Sequence, residues 1–247
     1  MASFGADREG VAVQRGVPNP ASVWPPGTFL AGLSPPTVGE LLRLGTLRRF
    51  EPGRVLIREG EHNTHVELLV RGIVKVSTVV AGAEALLSFR LPGDLVGEMS
   101  ALTGQARNAT VTACGWVNSR VITHAEFQRV LRRHPEVAVS IAATVVQQLR
   151  WANRRRTDFR AYPAHVKLAR LLVDIADTCG RQTADGVELG VKLSQPELAT
   201  MIGIAEATVQ KAIQNLRLRG LIQPRYRRMV IVDIDALRTL GTDDSAA

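Results

Sequence analysis

Two groups of residues in this chain have types and spacing that suit chemistry. The first is Leu91-Pro92-Gly93-Asp94-Leu95-Val96-Gly97-Glu98-Met99, followed by Arg107-Asn108-Ala109-Thr110-Val111. A Gly-Glu pair opening a short helix leaves backbone N–H groups free for an anion. An arginine a few residues further on can return over the same pocket and pair with a phosphate through two parallel N–H bonds. Glu98 beside a phosphate is unfavourable unless it accepts a hydrogen bond from a sugar hydroxyl. Taken alone, the pair reads more simply as a structural turn closed by a Glu98–Arg107 ion pair. The second group begins at Leu193-Ser194-Gln195-Pro196-Glu197, where Ser194 can cap a helix, Pro196 fits its first turn and Glu197 completes a capping box. Ala199, Gly203 and Val209 follow at helix-turn-helix spacing: a small residue for close crossing, a glycine for a left-handed turn, and an apolar residue that packs the second helix on the first. That second helix, about 206–218, is predicted to lie in a DNA major groove. After it come two short apolar runs around Pro224-Arg225-Tyr226-Arg227-Arg228, a wing whose arginines suit phosphates or the minor groove.

Charge supports the second assignment. The chain carries net charge +8, and between residues 204 and 228 six Lys and Arg stand against Glu206 alone. A solvated basic face is the competing explanation, and the capping box, turn glycine and wing together outweigh it. Other chemistries find no support. Two isolated cysteines, Cys114 and Cys179, form neither a disulfide framework nor a zinc or iron–sulfur ligand set and suit a reducing, cytoplasmic setting. His62-x-x-His65 has metal-like spacing but no third ligand, so neither haem nor metal is expected. No P-loop, nucleophile elbow or paired catalytic carboxylates occur, so no enzyme is expected. The first residues lack an apolar secretory core, and the longest nearly apolar run, 137–146, is about half of a membrane span, so no membrane is expected as a partner.

The elements that must position these groups follow from period and punctuation. Residues 1–34, rich in Gly, Pro and Ala, are read as a flexible extension. Residues 35–134 begin with a short helix after Ser34 and continue as short Val/Ile/Leu runs separated by glycines, the pattern of a small β-roll. From 135 to about 160 there is neither Gly nor internal Pro. Ile141, Val145, Gln148, Ala152, Arg155 and Phe159 recur at coiled-coil spacing, with Leu149 beside them. A lone helix must bury such a stripe. A second copy is the preferred partner and the chain's own β-roll the alternative. Residues 161–238 form the winged helix-turn-helix and 239–247 a tail. The fold class is α+β.

Together these residues resemble the CRP/FNR family of bacterial regulators, the cyclic-AMP receptor protein and fumarate-nitrate regulator group. Phe50-x-Pro52-Gly53, Gly60-Glu61, Val70-x-Gly72-x-Val74-x-Val76 and Pro92-Gly93-Asp94-x-x-Gly97-Glu98 resemble its cyclic-nucleotide-binding roll. The segment 97–111 is similar to its phosphate-binding cassette, 135–159 to its dimer helix and 193–232 to its winged helix. The resemblance implies a homodimer on two-fold related half-sites of double-stranded DNA, contact with RNA polymerase, and a small ligand in the roll that switches the DNA-binding helices. It assigns ligand contact to Gly97, Glu98, Met99, Arg107, Asn108 and Ala109, and to Ala152 and Asn153 on the long helix. It assigns DNA contact to Ser194, Gln195, Glu206, Ala207, Thr208, Gln210, Lys211, Arg225, Arg227 and Arg228.

The chain departs from the family pattern in three places. Asn108 stands where a small or hydroxyl residue is usual. Ala152 and Asn153 replace the hydroxyls that read the nucleobase. Glu206 and Ala207 replace the first two base-reading positions of the prototype. Glu206 prefers a cytosine amino group and Lys211 a guanine, so a different operator is expected. Cyclic AMP, another nucleotide, or a vestigial pocket with no effector all remain open.

Overall fold

The computed structural model describes residues 24–225 and 228–242, and the side chains of all of these except residues 158–161. A short 3-10 turn, Leu30–Gly32, precedes helix α1 (Pro35–Leu41). The β-roll follows as β1 (Thr46–Phe50), β2 (Val55–Ile57), β3 (Val66–Arg71), β4 (Val74–Val80), β5 (Ala83–Arg90), β6 (Leu95–Val96), α2 (Glu98–Thr103), β7 (Thr110–Ala113) and β8 (Val117–Ile122). These strands form two four-stranded antiparallel sheets, ordered β1-β8-β3-β6 and β2-β7-β4-β5. Val66, Leu68, Leu69, Val74 and Val117 are fully buried in the roll. Each contributes about 1.5–3 kcal/mol relative to an exposed site.

Helix α3 (His124–Arg133) starts on a capping box formed by Thr123 and Glu126. His134 ends it, with an imidazole nitrogen 2.8 Å from Glu40, whose carboxyl is held below its usual range mainly by that contact. The residue before a proline disfavours continued helix, and a new long helix, α4 (Pro135–Ala161), begins at once. The DNA-binding domain comprises α5 (Ala164–Cys179), the hairpin β9 (Gly180–Thr183) and β10 (Gly186–Leu189), α6 (Gln195–Ile202), α7 (Glu206–Leu218), the wing strands β11 (Ile222–Arg225) and β12 (Arg228–Ile231), and α8 (Ile234–Thr242). Its sheet is ordered β11-β12-β10-β9. Leu168, Leu172, Leu198, Val209, Leu216 and Leu237 fill its core.

Three expectations need correction. Residues 24–34 are not a free extension. Phe29 and Leu30 are each 1% exposed in the roll's core, the Leu30 amide donates to Gly93 O at 2.9 Å, and the Ser140 hydroxyl donates to Phe29 O at 2.7 Å. Burial of two large apolar side chains outweighs the entropy of ordering this short segment. Second, the boundary expected at 238 falls inside α8.

Third, most of the stripe expected to pair with a second copy faces the chain's own domains. Ile141 is buried in the roll core and Val145 packs on it. Gln148 and Arg155 line an internal pocket. Leu149 is the exception and lies exposed, Ala152 is exposed but also borders that pocket, and the side chain of Phe159 falls outside the described ones. The face of α4 that is open in this chain carries Val139, Ala142, Val146, Leu149 and Asn153, another stripe at three-and-four spacing. Periodicity shows that an amphipathic helix has a seam; with two apolar faces it does not show which one the same chain covers.

Candidate effector pocket and DNA interface

The cradle expected from residues 97–111 forms in the roll. Gly97 caps α2 at φ 86°, a conformation that suits glycine, and an added Cβ would stand 2.5 Å from Arg107 Nη1. Arg107 is 3% exposed and makes no ion pair with Glu98 among the described residues, so the simple closed-turn reading fails. Its Nε donates to Asn63 Oδ1 at 2.6 Å, Nη1 to Gly97 O at 2.7 Å and Nη2 to His65 O at 2.5 Å. All three acceptors are neutral. Burial lowers the Arg107 pKa, and Glu98, Glu61 and Glu67 partly offset this through space. Burial raises Glu98, and its backbone hydrogen bond and the nearby arginines pull the other way. Asp94, in the same loop, is also raised by burial, despite accepting from the Leu91 amide at 2.9 Å.

These residues line a cavity of about 530 Å³, within the range of small-molecule sites. Gly97, Glu98, Met99, Arg107, Asn108 and Ala109 all border it, as does Ala152. Asn108 is exposed, with its amide 3.3 Å from Met99 Sδ. Asn153 is not among the lining residues of this chain and sits on the open face of α4. The wall opposite the cradle comes from Gln148, Trp151 and Arg155 of α4, Asp174 and Thr178 of α5, and Met201 of α6. Nothing in the sequence marks these last three as pocket residues, because they meet the cradle only through the packing of one domain on the other.

That packing is specific. Leu86 of β5 is 2% exposed and completes the core of the DNA-binding domain. Its amide donates to Thr200 Oγ1 at 3.1 Å. Lys75 Nζ lies 2.9 Å from Glu197 Oε1 and 3.2 Å from Glu84 Oε1. Glu197 also closes the capping box of α6, in which the Ser194 hydroxyl accepts from the Glu197 amide. Burial opposes ionisation of Glu197, but the Ser194 and Lys75 hydrogen bonds win and hold its carboxyl below the usual range. The roll hairpin therefore grips the first helix of the helix-turn-helix.

Gly203 makes the expected left-handed turn at φ 65° between α6 and α7. Val209, Ala212 and Leu216 bury one face of α7. Glu206, Ala207, Thr208, Gln210 and Lys211 stand exposed on the other, with Ser194 and Gln195 exposed at the start of α6. Ala205 makes no side-chain cap to α7, as expected. On the wing, Arg225 Nη2 lies 2.7 Å from Asp185 and Arg228 Nη1 3.2 Å from Glu188. Arg227 lies outside the described residues. Cys114 and Cys179 sit at the domain junction, pushed up by burial to about 12 and about 11, and are not reactive thiolates at neutral pH. Among the described residues no three His, Cys, Asp or Glu side chains form a metal site, and no helix is long and apolar enough to cross a membrane.

Comparison with known proteins agrees with both halves. A cyclic nucleotide-binding domain model matches residues 47–134, and a Crp-like helix-turn-helix model matches 166–240. The CRP-like cAMP-activated global transcriptional regulator of Mycobacterium tuberculosis is 24% identical over 83% of this chain and 92% of its own. Transcriptional regulator LdrP of Thermus thermophilus is 28% identical over 81% of this chain and all of its own. A crystal structure of a CRP-family transcriptional regulator from Thermus thermophilus superposes with a TM-score of 0.67 at 25% identity, over 79% of this chain and 97% of that one. The chain belongs to the CRP/FNR family of transcription regulators. It is a DNA-binding regulator with an effector-binding domain, and its relatives are regulators rather than enzymes.

Proposed function

We propose that this protein is a homodimeric, cytoplasmic transcription regulator in which a nucleotide-type effector in the roll pocket controls DNA binding. The observation that carries this reading is the shared wall of the pocket. Glu98 and Arg107 of the roll and Asp174, Thr178 and Met201 of the DNA-binding domain border one cavity. A ligand there touches both domains, so it has a direct means of binding one arrangement more tightly than another, the requirement for any population shift. The exposed stripe Val139, Ala142, Val146, Leu149 and Asn153 is the seam for a second copy, which sets two α7 helices for two-fold related half-sites. Family resemblance supports contact with RNA polymerase.

The test is DNA selection with the purified protein, followed by fluorescence anisotropy on the selected site with and without cyclic nucleotides. The expected result is a change in affinity of about five-fold or more with one nucleotide, absent in Arg107→Ala, with light scattering reporting a dimer. Unchanged affinity with every nucleotide favours the second reading, a ligand-independent regulator with a vestigial pocket. The hydrogen bonds of the Arg107 guanidinium to Asn63, Gly97 and His65 are the observation on that side.

A further inference from the structure

The cavity has two recognition ends; the sequence pointed to the cradle around Glu98 and Arg107 and to Ala152 and Asn153 on the long helix, but not to Arg155 as a ligand-facing group. The other end lies where α4 meets α5. There Arg155 is stacked over Trp151, its guanidinium carbon 4.3 Å from the ring centroid, and Nη1 donates to Leu87 O at 2.9 Å. Its Nε is buried and has no hydrogen-bond partner. Gln148 Nε2, on the same wall one helical stretch earlier, is also buried without a partner. Unsatisfied buried donors cost free energy and are rare in native proteins. Two of them on one wall of one cavity point to groups that a ligand completes. Asp174, the nearby carboxylate, accepts the Trp151 indole N–H at Oδ2, 3.1 Å away.

Resting on the nucleotide reading above, we infer that this second end selects a purine bearing a carbonyl at position 6, so that the effector is a guanine-type cyclic mononucleotide rather than an adenine one. An arginine edge offers donors only. It matches the O6 and N7 acceptors of guanine, the commonest specific arginine–base pairing, and is repelled by the exocyclic amine of adenine. Gln148 is neutral in this choice, since its amide presents a donor or an acceptor according to its orientation. Stacking on Trp151 and the bond to Leu87 hold the fork in place before the ligand arrives, which reduces the ordering cost of binding. Burial pushes Arg155 down to about 10, so it remains cationic at neutral pH. The formal charge of the lining suits a ligand with one phosphodiester. Arg90, Arg107, Arg154 and Arg155 line the cavity against Asp94, Glu98 and Asp174, one net positive charge for one phosphate.

The experiment is titration calorimetry with cyclic GMP, cyclic IMP and cyclic AMP against the full chain, Arg155→Gln and Arg155→Lys. Cyclic IMP keeps O6 and N7 but lacks the 2-amino group, so it isolates the edge that Arg155 reads. The expected result is that cyclic GMP and cyclic IMP bind about tenfold or more tightly than cyclic AMP. Both variants should erase that preference, since lysine keeps the charge but not the fork and glutamine keeps neither. Thermal unfolding checks that the variants fold. Equal binding of all three nucleotides, preference for cyclic AMP, or a guanine preference that survives in both variants overturns this inference and leaves the nucleotide reading standing. Binding of none of them overturns the nucleotide reading and this inference together.

Discussion

The cradle and the wing each carry an arginine that the proposed function assigns to an anion, and they solvate it in opposite ways. Arg107 is buried and held by three neutral acceptors, with no carboxylate paired to it among the described residues. Arg225 and Arg228 are exposed and each rests against a carboxylate of the neighbouring hairpin. In the roll the charge is fixed in place before a ligand arrives, and the surrounding low dielectric strengthens whatever anion pairs with it. On the wing the pairs are exposed, worth about 0–1 kcal/mol each, so a DNA phosphate can displace the carboxylate at little cost. A buried, pre-oriented arginine suits selection among small ligands. An exposed, exchangeable one suits a long polyanion whose affinity depends on salt.

The contrast can be tested by substitutions that act on one side only. The largest effect is expected for Lys211→Ala on the exposed face of α7, which should weaken binding to the selected DNA site by about 1–3 kcal/mol and relax preference at one base pair. Its thermal stability should stay unchanged, because the side chain is exposed. A loss of Tm with unchanged DNA affinity would instead make Lys211 structural.

A smaller effect, in stability rather than affinity, is expected for Glu98→Gln in the cradle. Burial raises the Glu98 pKa above 4.5, so the folded chain holds this proton more tightly than the unfolded chain. The ionised carboxylate therefore destabilises the fold at neutral pH, and stability should rise as pH falls through the interval from the folded pKa down to 4.5. Glu98→Gln should raise Tm at pH 7, and the difference should shrink towards zero on acidification. A lower Tm at pH 7 would show that Glu98 is stabilised as an anion, and the cradle would then resemble the wing in balancing its charges internally.

The smallest effect is expected for Arg225→Ala. It should reduce the slope of log affinity against log salt by about 1, with little change in sequence preference. An unchanged slope would mean that Arg225 serves Asp185 rather than DNA.

Much of the molecule was legible from residue types at fixed spacing. Ser194 and Glu197 as a capping box, Gly203 as a left-handed turn, Val209 as the packing residue of α7, and Gly97 at the cradle are local requirements that few other residues meet. A capped helix or a positive φ depends on a handful of neighbours in sequence, so sequence alone determines it. What tertiary structure alone decided is which surfaces meet. It turned Ile141 and Val145 to the roll and left Val139, Val146 and Leu149 open, although both stripes have the same period. It ordered Phe29 and Leu30 because a hydrophobic slot lay within reach. It brought Arg155 and Asp174 to the cavity that holds Arg107, across a domain junction closed by Leu86 and Lys75. Burial is non-directional and rewards whichever apolar faces come together, so these long-range pairings have no local signature in the chain.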